Sequence, residues 1–181
     1  MRSVSVVASA VVVVMLTSGC SGWPEMIREG SQVVIPIADA KSEIFAVEDD
    51  IVAVVPRMSQ DETVAYNRNT DSKVVFECDN SPGTYRWPGE TIIQLTPGVD
   101  ADSVLAPVRE LFSSRSDWSV SDDPRKEFAL VLQQDGGLDR AEGLWFNVSV
   151  VNRLSGGAEL SISSFSRCAT VPGEYDPFGT Y

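Results

Sequence analysis

Two segments of the chain place hydrophobic residues at the spacing of an amphipathic helix. The first covers residues 39–55, and Pro56 is expected to end it, because proline cannot continue a helix. Its apolar positions are Ile44, Val47, Ile51 and Val54, and the acidic residues Glu43, Glu48, Asp49 and Asp50 are assigned to the opposite side.

The second helical pattern lies in residues 96–114. Asp100 or Asp102 is suited to cap its start, because a carboxylate accepts hydrogen bonds from the free N–H groups of the first turn. Pro107 is compatible with this helix only within the first two turns. The predicted apolar face consists of Val104, Leu105, Val108, Leu111 and Phe112.

Alternating apolar and polar residues predict strands in the rest of the chain. A Pro- and Gly-containing segment, residues 79–90, is expected to form a loop between the first two strands. The predicted strands are residues 73–78, 91–95, 118–120, 127–134, 144–152 and 158–166. Their apolar faces include Val74, Phe76 and Cys78, then Phe128, Leu130 and Leu132, and then Leu144, Phe146, Val148 and Val150.

These elements predict an α+β fold. Helices and sheets that each have one apolar face are best buried against one another. We therefore expect a two-layer sandwich in which a mostly antiparallel sheet carries both helices on one face. This single domain is assigned to residues 39–170, and residues 171–181 are expected to form an irregular C-terminal tail because of their Pro and Gly content.

The N-terminal residues have the order of a secretory signal. Arg2 precedes an apolar core, residues 4–16, and small residues lead to Cys20. The core is shorter than the roughly 20 residues that a membrane-spanning helix needs. The sequence Leu-Thr-Ser-Gly-Cys at residues 16–20 resembles a bacterial lipobox, which implies diacylglycerol on the thiol of Cys20. The alternative is an ordinary secretory signal with a chance cysteine.

Residues 1–19 are accordingly predicted to be a lipoprotein signal peptide, and residues 20–38 a lipidated N-terminus and tether. Two or three acyl chains would anchor the protein stably, because a single chain gives only marginal attachment. The expected location is the cell membrane, lipid-anchored at the extracytoplasmic face.

The cysteine count supports export. The chain has three cysteines, and lipidation of Cys20 would leave Cys78 and Cys168 as a pair. An oxidising compartment allows a disulfide to persist, so we predict a bridge between them that closes a loop of about 90 residues and stabilises the fold by about 4 to 5 kcal/mol. Two separate buried thiols are the alternative.

The net charge of the chain is −12. Such a surface is repelled by nucleic acid and by anionic lipid headgroups, so no nucleic-acid partner is expected and attachment to the membrane is assigned to the acyl chains. The acidic balance is explained by solubility alone. The alternatives are attraction of basic partners or of divalent cations.

Few residues in the chain are suited to catalysis. Histidine is absent, which excludes Ser-His-Asp and Cys-His arrangements, and no Gly-rich phosphate loop is present. The carboxylate pairs Asp49-Asp50 and Asp122-Asp123 are expected on solvated surfaces, and residues 135–142 are interpreted as a turn rather than a calcium loop. We predict no catalytic residue, no cofactor and no metal site.

The predicted loop at residues 84–90 contains Tyr85, Arg86 and Trp87. These three residue types are enriched at interface hot spots, and loops carry function disproportionately. They are therefore the candidate binding residues. The alternative is that Trp87 folds back over the edge of the core.

The order of elements resembles the small actinobacterial envelope lipoproteins of the LppA-like kind. The matching features are Cys20, the motifs Val-Phe-Glu-Cys, Tyr-Arg-Trp-Pro-Gly-Glu and Ser-Ser-Phe-Ser-Arg-Cys, and the Asp-Trp-Ser-Val start of a β meander. The resemblance covers roughly residues 40–170 and implies no catalytic residue.

We therefore expect a membrane-anchored lipoprotein that acts as a binding module for a protein, peptide, lipid or glycan of the envelope. An immunity protein against a basic toxin is a narrower form of this hypothesis, motivated by the charge. The alternative function is a carboxylate-dependent hydrolase that acts on an envelope glycan. A cleft with two converging carboxylates would favour the hydrolase, and an exposed aromatic patch would favour binding.

Overall fold

In the computed structural model, the described residues are 35–55, 67–70, 74–79, 81–139, 142–152, 157–173 and 176. They belong to one compact unit, residues 32–181. Cys20 and the predicted signal peptide lie outside the described residues, and so do Pro56 and most of the predicted tail. The described tail residues, 171–173 and 176, are neither helix nor strand.

Both predicted helices are present. Helix α1 is Ile37–Val54, and the N–H of Val55 bonds to the carbonyl of Ile51 at its end. Its first residue follows Pro36, whose ring fixes a φ of −61° at the N-cap. The helix thus begins two residues before the predicted start. No helix among the described residues is long and apolar enough to cross a membrane.

Helix α2 is Ala101–Ser113 and confirms the second pattern. Asp100 is its N-cap, and its side chain accepts a hydrogen bond from the N–H of Ser103 at 3.2 Å. Pro107 lies in the second turn, so the helix loses one backbone hydrogen bond there. Four of its predicted apolar residues are buried, namely Val104, Leu105, Val108 and Phe112.

Six strands of the described residues form the larger sheet. They are β2 (Asn67–Asn69), β5 (Pro88–Leu95), β6 (Trp118–Asp122), β7 (Ala129–Gln134), β8 (Trp145–Asn152) and β9 (Ala158–Phe165). Their order is β2-β5-β9-β8-β7-β6, and every neighbouring pair is antiparallel.

In the part of the chain that the structure describes, the smaller sheet consists of four strands of two residues each. They are β1 (Ile35–Pro36), β3 (Phe76–Glu77), β4 (Tyr85–Arg86) and β10 (Ala169–Thr170), in the order β1-β10-β4-β3. The pair β1 and β10 is parallel, and the other two pairs are antiparallel. Strand β1 falls within residues 20–38, which the sequence assigned to a tether, so the folded domain begins before residue 39.

Both helices cover the same face of the larger sheet, as predicted for an α+β sandwich. Glu48 of α1 accepts a hydrogen bond from Thr91 of β5, and Phe112 of α2 contacts Trp118 of β6 with 4.7 Å between ring centroids. The strand register places Thr91 and Trp118 on one face. Beneath the helices lie the fully buried side chains Leu130, Leu132, Phe146, Val148, Leu160 and Ile162.

Two predicted apolar faces are wrong in part, since Cys78, Leu130 and Leu132 are buried as predicted but other members of the two faces are not. Val74 and Phe76 are 56% and 49% exposed, whereas Val75, assigned to the other side, is buried. Phe128 is also exposed, because the chain adopts a φ of +55° there and turns before β7 instead of continuing as a strand. The carbonyl of Phe128 accepts a hydrogen bond from the N–H of Val150, which holds this turn against β8.

Candidate functional site

A disulfide joins Cys78 and Cys168. The sulfur atoms are 2.05 Å apart and the Cα atoms 6.3 Å apart. Cys78 follows β3, and Cys168 lies between β9 and β10. The pair agrees with the predicted bridge and ties the small sheet to the end of the large one.

A cavity of about 240 Å³ lies beside this disulfide. Its walls come from β3, β4, the end of β9 and a short 3-10 helix, Gly137–Asp139. Two of its acidic residues, Glu77 and Asp79, are exposed to solvent. The lining residues are Phe76, Glu77, Cys78, Asp79, Arg86, Leu138, Phe165 and Cys168.

Arg86 is the buried cation of this cavity, with only 7% of the residue exposed. Its Nη1 donates to the carbonyl oxygens of Gly143 and Ser166 at 2.9 and 2.6 Å, and its Nη2 donates to that of Leu138 at 3.4 Å. These bonds fix the guanidinium in place. Burial lowers the pKa of Arg86 from its usual value, because desolvation penalises the charged form.

Exposed and half-buried hydrophobic residues surround the cavity. Phe76 is half exposed, Leu138 is 42% exposed, and the Phe76 ring contacts that of Phe165 edge-on at 5.4 Å. Trp145 also contacts Phe165, with 5.8 Å between the ring centroids. These four side chains form an apolar patch at the end of the larger sheet, which we name the aromatic rim.

The aromatic rim was not predicted from the sequence. Trp145 and Phe165 are paired across β8 and β9, on the face of the sheet opposite the helices. A signal was present, because both are large aromatic residues at strand positions out of phase with the apolar face, where polar residues are usual. Leu138 gave no comparable signal.

The prediction that Trp87 offers an exposed contact surface is wrong. Trp87 is 0% exposed and packs edge-on against Phe45 of α1, with 5.5 Å between the ring centroids. Residues 84–90 are also not a loop, since β4 and β5 occupy most of them. Trp87 therefore belongs to the core, which was the alternative interpretation. Tyr85 is half-buried, and Arg86 alone of the three candidates lines the cavity.

The close packing around Gly89 explains why a glycine follows Trp87 and Pro88. A Cβ atom at this position would lie 2.3 Å from the Ser164 hydroxyl oxygen and 2.9 Å from Cζ3 of Trp87. Both distances are shorter than van der Waals contact. The motif Trp-Pro-Gly therefore serves close packing between β5, β9 and helix α1.

Glu48 is fully buried between α1 and the sheet, contrary to its assignment to the polar side of the helix. Its carboxylate accepts hydrogen bonds from Thr91 Oγ1 at 2.8 Å and Ser164 Oγ at 3.2 Å, and it lies 3.0 Å from Nε of Arg68. Desolvation raises the pKa of Glu48 above its usual value, although these three partners oppose the rise. The group is enclosed by core and does not line the cavity beside the disulfide.

The carboxylate pairs considered for catalysis are engaged by arginines. Asp49 contacts Arg68, Asp50 contacts Arg115, and Asp122 contacts Arg109.

Asp123 differs from the prediction because it is buried rather than solvated. It accepts hydrogen bonds from Arg125 and from the Asn147 side chain, and the bond from Arg125 is the main cause that lowers its pKa. In the part of the chain that the structure describes, no cluster of three or more potential metal ligands is found.

A second cavity, of about 430 Å³, lies between α2 and the turn before β7. Its charged lining residues include Arg109, which pairs with Asp122, and Lys126, whose Nζ donates to Asn147 Oδ1 at 2.8 Å. The cavity beside the disulfide is the better candidate, because it combines a buried cation with exposed aromatic surface.

No protein-family profile matches the chain, and neither a curated protein nor a solved structure shows significant similarity to it. The resemblance to LppA-like lipoproteins therefore stays a prediction.

Proposed function

We propose that the protein is a membrane-anchored extracytoplasmic lipoprotein that works as a non-catalytic binding module. Its ligand site is the cavity beside the disulfide, together with the aromatic rim. The observation that carries this proposal is the exposure of Phe76 and Leu138 next to a cavity that contains a buried arginine. Exposed aromatic residues grouped at one place are typical of binding surfaces.

The acidic residues favour binding over hydrolysis. A glycosidase needs one carboxyl group kept protonated by burial and a second one across the scissile bond. At the candidate site, Glu77 and Asp79 are both exposed to water. Glu48 is fully buried, but it is bonded to Thr91 and Ser164 inside the core and is enclosed away from substrate.

The membrane anchor is assigned to Cys20 on the basis of the signal core and the small residues before the cysteine. Cys20→Ala should release the protein from membranes or block its maturation. The measurement is fractionation of cells followed by mass spectrometry of the N-terminal peptide. Normal processing with unchanged membrane retention in the variant would refute the anchor.

The ligand site can be tested with a photoreactive phenylalanine analogue introduced at position 76. Phe128 is the matched control, because it is also an exposed phenylalanine but lies in the other cavity. Crosslinking in the native envelope should attach a ligand at position 76 and not at position 128. Equal crosslinking at both positions, or none at position 76, contradicts the assignment.

A further inference from the structure

We infer that the aromatic rim binds a basic segment of a partner protein. One apolar side chain of that segment enters the cavity beside the disulfide, and its Lys or Arg neighbours meet the acidic residues at the cavity mouth. This inference rests on the proposed function and adds the chemistry of the partner.

Three exposed acidic residues adjoin the aromatic rim. Glu77 and Asp79 line the cavity, and Asp139 follows Leu138 in the short 3-10 helix. None of the three forms an ion pair in the part of the chain that the structure describes. Elsewhere, acidic residues are paired with arginines, namely Glu43, Glu48, Asp49, Asp50, Asp122 and Asp123. The carboxylates at the aromatic rim are therefore the ones left to meet a basic partner.

The apolar side chain of the partner follows from the cavity walls. Phe76 and Phe165 present two aromatic rings, and Leu138 adds a partly exposed aliphatic side chain. The cavity, at about 240 Å³, is smaller than the roughly 300–1,000 Å³ of sites that enclose drug-sized molecules. It has room for about one ring or one aliphatic side chain, so the rest of the partner lies outside it.

Arg86 determines where the cations of the partner lie. Its guanidinium is buried and donates to three backbone carbonyl oxygens, and its positive charge disfavours a second cation inside the cavity. The carboxylates of Glu77, Asp79 and Asp139 are in solvent, at the mouth and beside it. Three carboxylates against one guanidinium leave the surface around the cavity net negative. The partner's cations are therefore placed at the mouth, and only its apolar group is placed inside.

A polypeptide segment meets both requirements at once. It can carry an aromatic or aliphatic residue between two basic ones, and so fill the cavity while it contacts carboxylates on both sides. Burial of the apolar side chain supplies most of the affinity, whereas the exposed ionic contacts supply specificity and a faster association. The same carboxylates repel nucleic acid and anionic lipid headgroups.

The test uses four acetylated and amidated pentapeptides with the purified full chain. Their central residues are Lys-Phe-Lys, Gln-Phe-Gln, Glu-Phe-Glu and Lys-Ala-Lys, each flanked by glycine. Dissociation constants are measured by ligand-observed NMR titration. At about 10 mM ionic strength, the Lys-Phe-Lys peptide should bind about tenfold more tightly than the Glu-Phe-Glu peptide, and this ratio should fall towards one at about 1 M. The Lys-Ala-Lys peptide should bind about tenfold more weakly than the Lys-Phe-Lys peptide.

Exposed positions supply the variants, so the fold is preserved. Glu77→Gln should weaken the Lys-Phe-Lys peptide about two- to threefold and leave the Gln-Phe-Gln peptide unchanged. Glu127→Gln is the matched control, because Glu127 is also exposed, also adjoins an exposed phenylalanine, Phe128, and lines the other cavity. It removes the same charge from the chain and should change neither peptide. Phe76→Ala should weaken all three phenylalanine peptides, whereas Phe128→Ala should weaken none.

Four results would overturn the inference and leave the proposed binding function intact. They are equal or tighter binding of the Glu-Phe-Glu peptide, an equal effect of Glu77→Gln and Glu127→Gln, no binding of any peptide, and a crosslink from position 76 to a lipid, a glycan or an acidic segment. An equal effect of the two glutamine variants would mean that the overall charge of −12 attracts the peptide without a defined site. The proposed function fails separately, if crosslinking at position 76 attaches nothing.

Discussion

We expect Glu48→Ala to lower the free energy of unfolding by about 3 kcal/mol. The substitution removes a fully buried carboxylate that bonds to Thr91 and Ser164 and lies 3.0 Å from Arg68. Breaking a buried ion pair by deleting one partner typically costs about 3 to 5 kcal/mol, since the other charge is left behind. The lower end applies here, because Arg68 keeps its contact with Asp49 at 2.5 Å.

The assay is urea unfolding followed by tryptophan fluorescence, with the slope of the transition checked for constancy. Asp49→Ala is the matched control, because it removes a carboxylate from the same arginine. The side chain of Asp49 is 59% exposed, so this loss should cost less than about 1 kcal/mol. Equal costs for the two variants would refute the claim that burial makes Glu48 important.

The pH dependence of the stability tests directly whether desolvation controls the pKa of Glu48. The folded chain holds the Glu48 proton at pH values where the unfolded chain releases it, because the pKa is raised in the folded state. The contribution of this group to stability is therefore present at low pH and is lost as the pH rises from the usual carboxyl pKa through the raised one. Glu48→Gln cannot titrate, so the stability of the parent relative to this variant should fall over that interval. A relative stability that rises with pH would mean that Arg68, and not desolvation, controls the pKa.

Three further predictions concern the core and the ends of elements. Unreduced mass spectrometry should find the Cys78 and Cys168 peptides joined, and replacement of both by serine should cost about 2 to 5 kcal/mol; alkylation of both thiols in the native protein would disprove the bridge. Trp87→Ala should cost about 3 to 5 kcal/mol. Trp87→Phe should cost less than Trp87→Ala, because it keeps an aromatic ring in the core while it removes a buried indole N–H that has no hydrogen-bond partner among the described residues. Equal losses for the two variants would argue against this. Asp100→Ala should cost about 0.5 to 2 kcal/mol through loss of the helix cap, whereas Asp102→Ala, two residues further on in the first turn, should have little effect on the thermal midpoint.

Local patterns were sufficient for the helices and the long strands. The apolar positions of α2 and of β8 repeat with the periods of a helix and a strand, and the structure buries them as expected, except for Leu111, which is only partly buried. Burial of a continuous apolar stripe stabilises these elements enough that neighbouring contacts cannot reverse them. The cysteine count likewise led to the pair that the structure joins, Cys78 and Cys168.

Glu48 was assigned to the wrong side of helix α1 because of its residue type, although its position in the sequence indicates the apolar side. It lies four residues after Ile44 and three before Ile51, so helical geometry puts it on the apolar face. The acidic character of the side chain suggested the opposite side. What makes its burial tolerable is the set Thr91, Ser164 and Arg68, which comes from three different strands.

The sequence alone determined the two helices, the long antiparallel strands, the α+β class and the cysteine pair, because each depends on a local period or on a count. The tertiary structure decided which side chains reach water at the candidate site. Trp87 is covered by Phe45 of a helix more than forty residues away, and Phe76 and Leu138 meet Phe165 and Arg86 at one cavity. Such exposure depends on which distant segment covers a residue, and a local pattern carries no information about that segment.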